Sequence, residues 1–196
     1  LTSDESVHGE IIDSTIVGNV ENGFNIDSPD TIVSLYNNLL FANTTDINLG
    51  ATGTGTLHGA YNVYGTTTQN FTNSIYNTQS NMTNVQMFGT NTPNTNEQGT
   101  VAITTTSHAA YKGTLIGKVG DVTYFLNRYT NHWENFTNNT TYTFDETSDT
   151  FGLPENGTIF HTAQNVDTDN NPVSRIQTMM AFNAGAYALT SDKLED

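Results

Sequence analysis

No cysteine occurs among the 196 residues of this chain. Disulfide stapling and thiolate chemistry are thereby excluded, and stability has to come from packing and hydrogen bonds. Basic residues are scarce too: five Lys and Arg stand against 20 Asp and Glu, a net charge of −15. That field repels phosphate backbones and anionic headgroups, so neither nucleic acid nor direct membrane insertion is expected. The longest apolar runs are of the length of Leu39 to Ala42, far too short to span a bilayer. The chain has no initiator Met and no signal-peptide pattern at Leu1, which reads as a mature or excised segment.

Neutral polar residues fill the space that charge leaves: only 13% of residues are charged, and Asn, Thr, Gly and Ser dominate. A chain this polar raises the question of disorder, but 35% apolar and 10% aromatic residues suffice for a core. Abundant β-branched Thr favours strands and keeps their solvent faces soluble without charge. Strand edges with few lysines to guard them invite addition by neighbouring copies, so a homo-oligomer or polymer is an expected state.

A self-comparison at an offset of 58 lays residues 55–108 over 113–166 without a gap. Gly55-Thr-Leu-His-Gly59 falls on Gly113-Thr-Leu-Ile-Gly117, Thr72-Asn73 on Thr130-Asn131, and Ile75 on Trp133. This predicts an internal duplication and a mainly β fold, an antiparallel sandwich or barrel with one packed helix. The organisation expected is N-terminal strands and helix over 1–54, repeat units over 55–112 and 113–170, and a C-terminal hairpin or helix over 171–196. A shared Leu-Thr-Ser-Asp at residues 1–4 and 189–192 suggests that a further copy begins near Leu189.

The expected helix covers 28–43. Ser28 suits an N-cap, Pro29 the first helical position, and Ile32, Leu35, Tyr36, Leu39 and Leu40 one apolar face. Residues 9–20 read as one or two strands. Residues 113–119 and 122–130 flank Gly120-Asp121 as a tight hairpin, with further strands at 140–146 and 157–164. Residues 55–65, 84–89 and 99–106 are the matching strands of the first unit.

Chemistry-bearing patterns are sparse. Asp167, Asp169 and Asn171 alternate, so their oxygens could converge on Ca²⁺, the one cofactor suggested; a solvated acidic turn before Pro172 is the plainer reading. Trp133 and Tyr129 are candidate sugar-stacking rings, with Tyr61, Tyr64 and Tyr76 as neighbours, although the Ile75 match favours a core role for Trp133. Asn43, Asn70, Asn81, Asn135, Asn138, Asn139 and Asn156 head Asn-x-Ser/Thr triplets, candidate glycosylation sites in a chain where chance also supplies them. Glu134, Asp145, Glu146 and Glu155 are the carboxylates a glycosidase would draw on, but no catalytic motif joins them and a turn role is simpler for Glu155. Together these features point to a non-enzymatic, extracellular structural or adhesive module of a cell-surface protein, such as a surface layer, fibre or repeat adhesin. The alternative is a carbohydrate-binding or host-recognition domain of the viral spike or tail-fibre kind.

Overall fold

A computed structural model describes residues 7–28, 30–50, 55–68, 70–89, 103, 106–110, 112–160, 165–166, 172–173 and 184. The mainly β expectation holds, with several sheets and one short helix. The first ten strands pair in parallel rather than antiparallel and wind into a coil. Its first turn holds β1 (Val7–Ile12), β2 (Thr15–Val17) and β3 (Asn22–Ile26); its second holds β4 (Thr31–Tyr36), β5 (Leu39–Phe41) and β6 (Thr45–Leu49). β7 (Thr56–Ala60) and β8 (Val63–Tyr64) form the third turn, and β9 (Asn73–Ile75) and β10 (Thr78–Gln79) the fourth. Each strand pairs in parallel with the one a turn away, giving sheets β1-β4-β7-β9, β2-β5-β8-β10 and β3-β6. This is a parallel β-helix with three faces, in which every turn stacks only on its neighbours.

The coil's interior is apolar. Ile11, Val33, Leu35 and Leu57 enter it from the first face, Ile16 and Leu40 from the second, and Phe24, Ile26, Ile47 and Leu49 from the third. Buried polar side chains stack just as regularly at the corner between the first two faces. The residue there takes a left-handed conformation in every turn: Asp13 (φ 51°), Asn37 (56°), Tyr61 (58°) and Tyr76 (50°). The next residue is Ser14, Asn38, Asn62 or Asn77, and these form a ladder. The backbone N–H of Ser14 donates to Asn38 Oδ1, that of Asn38 to Asn62 Oδ1, and that of Asn62 to Asn77 Oδ1, at 2.9, 2.9 and 3.0 Å. The amide nitrogens of Asn38, Asn62 and Asn77 donate back to the carbonyls of Ile11, Leu35 and Gly59. Backbone groups that the turn leaves unpaired are satisfied in this way.

The helix expected over 28–43 is therefore not formed: β4 and β5 occupy it, broken at Asn37 and Asn38. The one helix described, α1 (Asn84–Phe88), lies where a strand was expected, and a Thr83–Gln86 capping box starts it. Its Met87 and Phe88 cover the outward side chains Leu39, Phe41 and Val63 of the second face, together with Ile103, Ala109, Ala110 and Ala184.

A second sheet, antiparallel throughout, packs against the coil. It runs β14 (Tyr142–Thr143), β13 (His132–Glu134), β12 (Val122–Asn127), β11 (Ile116–Val119) and β15 (Gly157–Ile159). Here the expected hairpin is present: Val119 faces Val122 across Gly120-Asp121, with Gly120 at φ 59°. Ile116, Phe125, Phe136 and Phe160 meet Ile12, Tyr36, Ala60, Tyr61 and Ile75 of the coil. Asn37 fixes the register of this contact, accepting from the Thr114 N–H at 2.8 Å and donating to the Thr114 carbonyl. The 58-residue alignment thus lays parallel strands over antiparallel ones, β9 over β13 for instance, and the described residues do not confirm a duplication. A short antiparallel pair, β16 (Asn165–Val166) and β17 (Pro172–Val173), completes the described strands.

Candidate functional site: an aromatic platform beside a groove

Tyr129 is 76% exposed and Tyr76 43%, two of only five large apolar side chains so exposed among the described residues. Their rings stack at 4.3 Å with 22° between planes. Tyr76 is placed by the coil, being the corner residue of the fourth turn. Tyr129 is placed by the turn after β12, where Asn127 Oδ1 accepts from the N–H of Tyr129 at 3.1 Å and its carbonyl from that of Asn131 at 2.9 Å. Behind them Tyr61 lies 5.4 Å from Tyr76, the Arg128 guanidinium carbon stands 5.2 Å over the Tyr61 ring, and the Arg128 N–H donates to the Tyr61 hydroxyl. Burial, opposed in part by the Arg128 contacts, raises the Tyr61 phenol above its ordinary pKa. The platform is thus a backed, neutral aromatic surface with one open ring.

Beside it, the first face of the coil and the antiparallel sheet enclose a groove. Outward side chains alternate along each strand, and those nearest the corner, Ile12, Tyr36, Ala60 and Ile75, are covered by the sheet. One step outward, Glu10, Ser34, His58 and Asn73 stand in direct register from turn to turn. A cleft of about 500 Å³ opens over the first three, walled by Asp121, Phe136 and Thr137. A second, of about 450 Å³, follows over Asn73 and Ser74, walled by Glu134, Asn135 and the same Phe136 and Thr137.

Each floor group is held. Glu10 Oε2 accepts from Thr123 Oγ1 at 2.8 Å and lies 3.9 Å from Lys118 Nζ. His58 stacks on Phe136 with centroids 5.1 Å apart, and its Nδ1 is 2.9 Å from the Asn73 amide nitrogen. Burial, with His8 nearby, pushes the His58 pKa down, so the ring is neutral at pH 7. Among the described residues no Lys or Arg lines either cleft. The arrangement can exchange hydrogen bonds with hydroxyl or amide groups, and no lining Lys or Arg offers an anion a full positive charge.

Of the remaining sequence candidates, Glu134, Asn135, Asn138 and Asn139 come together on the lining of the second cleft, and the others are dispersed. Trp133 is fully buried, with its indole N–H donating to the Phe151 carbonyl, so it presents no ring to a ligand. Tyr64 packs on Phe71. Glu134 receives Asn127 and Thr130. Asp145 caps a turn, and bonds from the Thr147 hydroxyl and N–H hold its carboxyl below the usual range. Glu155 is exposed in the turn before β15. Asn43 is buried and bound to Asn19 and Asp46. Asn135 is spent on its own loop, bonding Thr137, Asn138 and Thr140. Asn70, Asn81, Asn138, Asn139 and Asn156 are exposed. Asp167, Asp169 and Asn171 lie outside the described residues, as does the Leu-Thr-Ser-Asp echo. Among the described residues no group of three or more His, Asp or Glu is placed to hold a metal, and no helix is long and apolar enough to cross a membrane.

A third cleft, about 660 Å³, lies at the next corner of the coil. Its buried Asp46 is occupied by the N–H groups of Asn43, Gly65 and Thr66, so it closes the corner. No family model, curated protein or solved structure matches the chain.

Proposed function

We propose that this chain is a non-enzymatic adhesive module of an extracellular cell-surface protein and that its ligand is a glycan. The observation that carries the reading is the Tyr129–Tyr76 pair. An apolar ring left in water on a scaffold able to bury Trp133 completely is the informative exception. A flat neutral ring flanked by Asn and Thr side chains suits the apolar face and hydroxyl rim of a sugar. Glycan-array binding of the purified chain, repeated with Tyr129→Ala, tests this. A sugar subset should bind and lose about tenfold in affinity, or about 1.4 kcal/mol, on loss of the ring. No bound glycan, or equal binding by the variant, would sink the reading.

Self-assembly into a surface layer or fibre is a second reading, favoured by the coil's first turn. Among the described residues, β1, β2 and β3 each stand at the end of their sheet, so three parallel edges face the same way. Such edges accept added strands. Light scattering and electron microscopy, with and without calcium, should reveal ordered polymers; a monomer in both conditions counts against it.

A further inference from the structure

We infer that the paired clefts form one subsite for a linear, uncharged polysaccharide lying along the coil axis, with one sugar per turn. The inference rests on the glycan reading above and deepens it from a single ring contact to an extended ligand.

Register is the first reason. Glu10, Ser34, His58 and Asn73 occupy equivalent positions in four consecutive turns. Successive turns are separated by the strand spacing of about 4.8 Å, so the floor runs about 14 Å from end to end. A pyranose unit in an extended chain advances by nearly the same distance, so each sugar meets a floor side chain at an equivalent position, although the chemistry of that side chain differs from turn to turn. The two clefts share Phe136 and Thr137, which makes their walls continuous.

Chemistry is the second reason. The floor offers a carboxylate, a hydroxyl, a neutral imidazole and an amide, each able to pair with sugar hydroxyls. Phe136 does not supply the stacking face, because His58 on one contact and Tyr36 on another already pack against it, at 5.1 and 5.8 Å. It fixes the imidazole instead. Lys118, which lines neither cleft, faces Glu10. With Glu10 and Asp121 on the lining and −15 overall, uronic acid or sulfated chains are disfavoured.

The experiment is titration calorimetry with neutral linear hexasaccharides of β-1,4-glucose, β-1,4-N-acetylglucosamine, β-1,4-mannose and α-1,4-glucose. A length series from two to six units of whichever binds follows. Affinity should rise at least tenfold between two and four units and then level off, and the matching oligouronate should bind more weakly. Ser34→Trp, which fills the groove floor from outside the coil, should abolish the gain with length while circular dichroism stays unchanged. His58→Ala, which leaves the backbone ladder intact, should lower it as well. Binding by none of the four, affinity independent of length, or a gain that survives both substitutions overturns the inference. Tyr129→Ala separates the two proposals. Short and long ligands weakened alike, with no gain from length, would leave the platform and remove the groove; a length gain untouched by Tyr129→Ala would do the reverse.

Discussion

The asparagine ladder predicts a large stability loss from one small substitution, Asn62→Ala. Asn62 is wholly buried. Its Oδ1 accepts from both the backbone and side-chain nitrogens of Asn38, at 2.9 and 3.0 Å, and its Nδ2 donates to the Leu35 carbonyl and to Asn77 Oδ1, both at 2.8 Å. Each such bond is worth about 1 kcal/mol net, and a buried partner left unsatisfied costs about 1–3 kcal/mol. The Asn38 N–H and the Leu35 carbonyl lose their partner at this corner, whereas Asn77 keeps the Asn62 backbone N–H. The expected cost is therefore about 3–4 kcal/mol, a large share of the roughly 5–15 kcal/mol that holds a domain together.

Urea unfolding followed by far-UV circular dichroism and by Trp133 fluorescence measures it. With a slope of about 2 kcal/mol/M the midpoint should fall by roughly 1.5–2 M at unchanged slope. Asn19→Ala is the control: its exposed side chain gives one bond to Asn43 in a second, shorter ladder, and its loss should cost less than about 1 kcal/mol. Asn62→Asp keeps the acceptor but sets a carboxylate oxygen against two acceptors, so it should cost at least as much as Ala. If Asn62→Ala and Asn19→Ala shift the midpoint equally, the ladder is a consequence of the coil and not a cause of its stability.

Two further outcomes follow from the tyrosines. Burial raises the phenol pKa of Tyr36, Tyr61, Tyr64 and Tyr124, and in Tyr124 the hydrogen bond with Tyr142 adds to it. A raised folded value leaves stability intact below the unfolded value of about 10 and erodes it as pH climbs from there, by about 1.4 kcal/mol per pH unit for each phenol ionised only in the unfolded chain. Tyr36→Phe should make the decline above pH 10 shallower in pH-dependent urea melts, and an unchanged slope would contradict the assignment. Tyr76→Asn should raise the melting temperature while weakening glycan binding by no more than Tyr129→Ala does, because Asn tolerates the left-handed corner that Tyr76 adopts; a lower melting temperature would show that the stacked ring outweighs the backbone strain.

The corner residues also explain why the fold was only half legible. Along β4 the inward residues are Val33 and Leu35 and the outward ones Ile32, Ser34 and Tyr36, a clean period of two. The corner at Asn37 and Asn38 then resets the phase, so that Leu40 points inward. Read through that reset, apolar residues at 32, 35, 36, 39 and 40 imitate the 3.6-residue period of a helix. The signal that would have decided the matter is Ser14, Asn38 and Asn62 at intervals of 24, with Tyr-Asn repeated at 61–62 and 76–77. It was hidden because the third turn has only an isolated bridge on its third face, Thr67 to Ile47, and shortens the interval to 15. The hairpin at Gly120-Asp121 was readable because a two-residue turn is a local device. Tyr129 was readable only as one of two candidate stacking rings, the other being Trp133, which the core absorbs. The groove was not, since its floor is assembled one residue per turn and its wall from the loop around Phe136, far away in the chain.

One position therefore does two kinds of work. Asp13 and Asn37 stand in the corner where a short polar side chain tolerates positive φ, and both hydrogen-bond there, Asn37 to Asp13 Oδ1 and across to Thr114. In the next two turns the same backbone holds Tyr61 and Tyr76, bulky residues for which that conformation costs of order 1–3 kcal/mol. The change of residue falls where the corner row passes from the contact with Thr114 to the open side beneath Tyr129. Along this corner row, strain is accepted at the two successive turns whose rings form a stack ending in an exposed aromatic face, as the proposed binding surface on a repeating scaffold would require. The coil supplies equally spaced positions, and the residue at each position decides what that turn presents at its surface.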